Sequence, residues 1–340
     1  HTPGHTPEHT SYVVIVDGEE VGVFTGGSLL VGSAGRPDLL GPERADTLAR
    51  LQYRSITRLG ELPGATPVYP THGEGSFCTA SGANRTTSTI ELEKTENPLY
   101  GATDEDHFVE LITAGLGPWP TYYRHMGPAN LFGPEPARDL SLPELGLADL
   151  RDSHVAVVDI RGKQPFADAH IPGSIGIEHR DDTGVWAGWV LPHDAEMVLL
   201  ADRGQDIAEI VRQLTRIGMD AIRGVVYGIE TWTDAGLPTA SHKTADLATF
   251  VDAVRSGVSV LDVRMPAEWA QGTIDGSTLA FVPDIVAEGA PDDLSGEVWV
   301  ACGSGYRATA AIKWLEEAGI EPVVLVEDGV PEVLEALAKA

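Results

Sequence analysis

The sequence predicts an α/β protein in three parts, a short mixed segment followed by two copies of a parallel-sheet unit. Three observations lead there. From about residue 140 onward, short apolar runs rich in β-branched residues alternate with stretches of helical periodicity, the pattern of parallel strands joined by crossover helices. Leu214, Gly218 and Gly228 lie 101 positions before Leu315, Gly319 and Gly329, an internal repeat of domain length. Finally, the strand-like Val298-Trp299-Val300-Ala301 runs directly into Cys302-Gly303-Ser304-Gly305-Tyr306-Arg307, which places a cysteine at a strand-to-helix turn.

Taken in chain order, Ser11 to Val16 and Val21 to Thr25 read as a hairpin turned at Asp17-Gly18, since that dipeptide favours the backbone a two-residue hairpin needs. Pro42 to Leu59 has helical periodicity with proline at its first turn, and Pro67 to Tyr69 is a short strand ending at Pro70-Thr71-His72-Gly73. Asp106 to Ala114 reads as a short helix. Beyond it Pro118, Pro120, Pro128 and Pro134 are expected to stop any long element, while Trp119, Tyr122, Tyr123 and Phe132 make the stretch too aromatic for a free linker. The expected parts are 1–100, a connecting segment over 101–140, a first repeat over 141–240 and a second over 241–340.

In the first repeat Val155 to Val158 and Met197 to Ala201 read as strands; in the second, Val258 to Val263 and Val298 to Ala301 do, with a helix from Ala308 to Ala318 closed by Gly319. Counting back from Cys302, Asp202 lies 100 positions earlier, so the first repeat's loop reads as one residue shorter and without a thiol. Without a thiol, this copy is expected to be silent, contributing an interface or part of a cleft. His170, His179 and His193 within it are expected to be structural rather than ligands.

Composition narrows the function. With 51 acidic against 23 basic residues and a net charge of −28, the surface repels nucleic acid and anionic membranes. No apolar run is long enough to span a bilayer. Cys78 and Cys302, 224 positions apart, form no disulfide framework and suit a reducing cytosol, so a cytoplasmic location is expected. The first residue is His1, with nothing like a signal peptide after it, and the chain reads as beginning inside a domain.

Chemistry concentrates at Cys302. Gly303 and Gly305 allow backbone conformations in which successive N–H groups face inward, and that concavity with a helix N-terminus favours an anion. A thiolate is such an anion; cysteine ordinarily titrates near about 8.5, and a helix start with a nearby arginine lowers this. Cys302 is therefore the expected nucleophile and Arg307 its cation, with Gly303, Ser304, Gly305 and Tyr306 as substrate contacts.

The words Asp262-Val263-Arg264, then Glu268-Trp269-x-x-Gly272-x-Ile274-x-Gly276-Ser277, then Cys302 and Arg307 with four residues between them resemble a rhodanese domain. A second, weaker likeness runs through Asp159-Ile160-Arg161 and Phe166-x-Asp168-x-His170-Ile171-Pro172-Gly173-Ser174. The resemblance implies sulfur transfer through a cysteine persulfide, from thiosulfate or a low-molecular-weight persulfide such as glutathione persulfide to a thiol or cyanide, with no cofactor required. The four-residue spacing is tighter than the five of related phosphatases, which favours sulfur over phosphate. Thr273 and Asp275 depart from the family's usual His and Pro.

Upstream, Thr2-Pro3-Gly4-His5, Phe24-Thr25-Gly26-Gly27-Ser28, Gly35-Arg36-Pro37-Asp38-Leu39 and Tyr69-Pro70-Thr71-His72-Gly73 resemble the later half of a metallo-β-lactamase fold, in the branch holding persulfide dioxygenases and glyoxalase II. That resemblance implies iron or zinc held by an upstream His-x-His-x-Asp-His cluster, the histidine matching His5, and an aspartate where this chain has Gly27; a histidine matching His72 would serve a second metal. With no such cluster and with Gly27 lacking a ligand atom, the metal site over His5 and His72 is expected to be incomplete. The alternatives are a metal-dependent persulfide dioxygenase or hydrolase completed by upstream residues, and a non-catalytic binding or scaffold protein. No nucleic acid or membrane partner is expected, and a homodimer is compatible with the sequence.

Overall fold

The computed structural model describes residues 1–71, 87–114, 116–133 and 139–339, which form two compact units, His1–Trp119 and Pro120–Ala340. His72 and Cys78 lie outside the described residues.

In the first unit, strands β1 (Tyr12–Val16) and β2 (Glu19–Gly26) form the antiparallel hairpin, with Asp17 at φ 52° and Gly18 at φ 87° making the turn the dipeptide predicts. Helix α1 (Pro42–Leu59) follows, then β3 (Pro67–Pro70), β4 (Ser88–Thr89), α2 (Ile90–Glu96), a 3₁₀ turn (Pro98–Gly101) and α3 (Glu105–Ala114). The sheet runs β1-β2-β3-β4, with β2 and β3 parallel and the outer pairs antiparallel. Helix α1 buries Leu48, Ala49, Gln52, Ser55, Ile56 and Leu59, one face at helical spacing, while Arg50 and Arg54 on the other side pair with Asp46, Asp106 and Glu105. The apolar residues of β1 stay exposed.

The second unit begins with α4 (Tyr123–Phe132), a helix of 10 residues among the prolines that were expected to stop any long element. Pro128 sits inside this helix, which buries none of its residues, so water can take up the carbonyl that Pro128 leaves without a donor. After α5 (Leu147–Leu150), the first repeat unfolds as β5 (Ala156–Asp159), α6 (Lys163–Asp168), β6 (Ile175–Gly176), α7 (Thr183–Val190), β7 (Met197–Ala201), α8 (Ile207–Arg216), β8 (Ile222–Tyr227) and α9 (Glu230–Thr233). The second repeat has β9 (Lys243–Ala245), α10 (Leu247–Ser256), β10 (Val260–Asp262), α11 (Pro266–Trp269), β11 (Thr278–Leu279), α12 (Val282–Glu288), β12 (Gly296–Ala301), α13 (Tyr306–Glu317), β13 (Ile320–Leu325) and α14 (Val330–Ala338).

Both repeats form fully parallel sheets, β6-β5-β7-β8 and β11-β10-β12-β13-β9. Where the second has the edge strand β9, the first has a single parallel bridge between Glu144 and Val225. The central strand β7 is 0% exposed at all five residues, as a parallel strand covered on both faces must be. Each of its larger side chains contributes about 1.5–3 kcal/mol by leaving water.

Register corrects the reading of the silent loop. Asp159 pairs with Leu200 as Asp262 pairs with Ala301, so Ala201, not Asp202, stands where Cys302 stands. The loop is not shortened either. Asp206 caps α8 by accepting the Glu209 N–H at 3.0 Å, so the helix starts later than in the second repeat.

Candidate functional site

Strand β12 delivers Cys302 to the carboxyl edge of its sheet, where open α/β sheets gather their ligands, and α13 begins at Tyr306. The turn between them needs glycine at 305, whose φ is 79°; a Cβ there would stand 2.8 Å from the Leu325 carbonyl oxygen. Among the described residues, the N–H groups of Gly303, Ser304, Gly305 and Tyr306 donate to no protein acceptor. Cys302 is 1% exposed, and Gly303 beside it is open to solvent.

Arg307 does not float over this turn. Its Nη2 donates to Glu268 Oε1 at 2.9 Å and its Nη1 to the other oxygen of the same carboxylate, a two-pronged pair anchored to α11. Burial pulls the guanidinium pKa down, but the Glu268 carboxylate and the Cys302 sulfur outweigh it, and the pKa is raised. Burial likewise pushes Glu268 up, but Arg307 outweighs it and holds the carboxyl below its usual range. A Cβ at Gly303 would meet Arg307 Nη2 at 3.0 Å, so the guanidinium lies against the loop.

The strand end below is fixed by Arg264, whose Nε and Nη2 reach the Asp262 carboxylate at 2.9 and 2.7 Å, with Nη2 also on the Gly272 carbonyl at 2.7 Å. Arg161, Asp159 and the Ala169 carbonyl repeat this brace in the first copy. The two copies diverge at the loop itself. There the Gln205 side chain accepts the Asp202 N–H at 2.8 Å and donates to the Ile160 carbonyl at 2.7 Å, filling the turn from within.

The first copy nevertheless builds part of the second copy's site. Lys163 Nζ donates to the Ser304 carbonyl at 2.8 Å and pairs with Glu327 at 2.9 Å, and Glu327 itself adopts φ 67°. Tyr306 turns its ring into this seam, beneath the Arg180 guanidinium at 4.6 Å and edge-on to Trp186 at 6.2 Å; burial raises its phenol pKa. The sequence carries no signal for Lys163, Arg180 or Trp186, because all three act across the repeat boundary. Glu268 was visible in its motif, but its bond to Arg307 was not.

The rhodanese-like domain matches residues 143–235 and 246–336, more than half of the chain. The chain belongs to the rhodanese-like family. It is also similar to a solved metallo-β-lactamase of Staphylococcus aureus, 28% identical with a TM-score of 0.58, over 67% of this chain and 65% of that one. Among curated proteins it is 34% identical over 122 residues to a probable metallo-hydrolase of Burkholderia pseudomallei, covering 34% of this chain and 39% of that protein. A solved ETHE1 of Myxococcus xanthus is 34% identical over 38% of this chain and 50% of that one, with a TM-score of 0.30. The chain thus spans less than two thirds of each of these relatives. Its architecture is a metallo-β-lactamase-type segment joined to two rhodanese-like domains.

That first segment implies a metal, and its described residues do not fit one. His5 donates from Nδ1 to the Arg36 carbonyl at 2.9 Å, leaving Nε2 as a single free donor atom. His9 accepts the Gly27 N–H at Nε2 and meets the Ser28 hydroxyl at Nδ1, both at 2.9 Å, so neither nitrogen is spare. A Cβ at position 27 would stand 2.4 Å from His5 Cδ2, which leaves no room for the aspartate of the related proteins. One imidazole nitrogen is not a metal centre.

Proposed function

We propose that this protein transfers sulfane sulfur through a persulfide on Cys302. The observation that carries the reading is a cysteine seated in a loop whose four following N–H groups have no acceptor among the described residues, with Arg307 fixed beside it. A donor approaches past the open Gly303. With thiosulfate, the Cys302 thiolate attacks the outer sulfur, the S–S bond of thiosulfate breaks, and sulfite leaves with the bonding pair. The terminal sulfur of Cys302–S–S⁻ then carries a negative charge, which the loop N–H groups and the adjacent helix start stabilise. An acceptor thiolate next attacks that outer sulfur, forms its own persulfide and restores the Cys302 thiolate. With cyanide as acceptor the product is thiocyanate.

Arg307 attracts the anionic donor and orders the loop through Glu268, and Lys163 holds the Ser304 carbonyl from the silent domain. The test is sulfur transfer from thiosulfate to cyanide by the intact chain. Cys302→Ser should abolish it, since no base adjoins a hydroxyl there; transfer by that variant at the wild-type rate would refute the assignment. Arg307→Ala should reduce transfer less than Cys302→Ser does, because the thiol remains.

A further inference from the structure

A second group of chemically active side chains lies at the other end of α13, where the two rhodanese-like domains and their connection meet. His170 comes from the first domain, His242 from the connection and Glu316 from the last turn of α13; one ligand atom from each lies within 4.8 Å of the others. At the rise of an α-helix, Glu316 is about 15 Å along α13 from the Cys302 loop, so this is a separate place from the sulfur site.

The geometry is held by the backbone. His170 and Ala240 exchange two N–H···O bonds of 2.9 Å, and the His242 N–H donates to the Ala167 carbonyl at 3.0 Å. The His170 ring stacks on Phe166 at 4.2 Å and its Nδ1 meets the Phe166 carbonyl at 2.9 Å. A carbonyl only accepts, so Nδ1 carries the proton and the second nitrogen, Nε2, is the one that faces outward. This is the arrangement in which metal-binding histidines are held, one ring N–H on a backbone carbonyl and the other nitrogen left for the ion.

Nε2 of His170 stands 3.2 Å from Glu316 Oε2, a distance that either a shared proton or a shared cation satisfies. His242 decides between them. Both of its ring nitrogens are buried with no hydrogen-bond partner among the described residues. A proton between His170 and Glu316 leaves both His242 nitrogens without a partner; a cation bound by all three engages one of them. His242 and Glu316 also line an open cavity of about 540 Å³, with Glu321 on its wall, through which an ion and a water molecule can enter.

We infer that His170, His242 and Glu316 form a binding site for a divalent cation of the zinc type, completed by water, that ties the two rhodanese-like domains to the segment between them. Two imidazoles with one carboxylate suit zinc and its neighbours in the transition series, whereas magnesium and calcium prefer oxygen ligands throughout. The inference departs from the sequence-based expectation that His170 is structural. What changed is that folding brings His242 and Glu316 to it from 72 and 146 positions away.

The test uses the intact chain, stripped of metal with a chelator and titrated with zinc alone under equilibrium dialysis. The wild type should bind one zinc per chain, His5→Ala should bind it equally well, and His242→Ala and Glu316→Gln should each bind about tenfold or more weaker. Glu316 is partly exposed, so Glu316→Gln remains a folded comparison if His242→Ala is not. Cobalt bound in place of zinc should give the visible absorption of a four-coordinate nitrogen and oxygen site, lost in the same variants. No zinc bound by the wild type, or zinc bound equally by the wild type, His242→Ala and Glu316→Gln, would overturn the site.

Discussion

Arg307 and Glu268 show how a charged residue can be fixed beside the Cys302 loop by a partner on another element. Their pair is two-pronged and part-buried, and it holds the Glu268 carboxyl below its ordinary value of 4.5. A carboxyl depressed by folding stabilises the fold fully above its unfolded pKa, and that contribution fades as pH falls through the lower, folded value. Glu268→Gln should therefore be less stable than the wild type near neutral pH, by about 1–2 kcal/mol after allowing for partial exposure. The gap should close as pH is lowered from neutral to below the ordinary carboxyl value of 4.5. Urea midpoints of the two proteins across that range check the sign; a gap that widens in acid would contradict it.

The silent loop is a matter of residues as well. Gln205 occupies the turn that is open in the second copy, so a thiol alone should not create a second site. The variant that asks the question is Ala201→Cys with Cys302→Ser, because register places Ala201, not Asp202, at the cysteine's position. It should show no thiosulfate-to-cyanide transfer, and measurable transfer would mean that loop filling is not what silences the copy. Cys302 and Arg307 stood out in the sequence as a pair because their spacing is local. Gln205 and Lys163 were not, since each acts through a contact that only the folded chain makes.

At the scale of elements, the strands after residue 140 were readable because parallel strands buried on both faces are continuous apolar runs, and β7 is one throughout. The hairpin was equally readable from Asp17-Gly18, yet its apolar first strand is exposed, and periodicity alone does not report which side is covered. Helix α4 was missed because a proline usually ends a helix; on an exposed surface its unsatisfied carbonyl meets water instead. The Asp-x-Arg words turned out to be braces inside strand ends. Asp262 is 0% exposed and Arg264 3% exposed, so Asp262→Asn leaves a buried guanidinium without its counter-charge and should lower stability by about 3 kcal/mol. Chemical unfolding of the intact chain checks this; a change below about 1 kcal/mol would show that the brace is dispensable.

Across the whole molecule, two domains of one family differ at the loop that follows the central strand. The second holds the cysteine, and the first, without one, supplies Lys163 to the Ser304 carbonyl and Arg180 and Trp186 to Tyr306. Neither the sharing nor the grouping of His170, His242 and Glu316 could be read from spacing, because both depend on how the repeats pack. The metallo-β-lactamase-type segment was legible in its words; among its described residues Gly27 offers no ligand atom, and hydrogen bonds engage both nitrogens of His9 and one of His5.

The central claim is that one sulfur atom per chain is carried, and carried on Cys302. Intact-protein mass spectrometry after incubation with thiosulfate tests it most directly. The wild type should gain about 32 Da, the mass of one sulfur, localised to the peptide containing Cys302 and lost on adding cyanide, while Cys302→Ser gains nothing. The same gain in Cys302→Ser, or a gain localised to Cys78, would contradict the account.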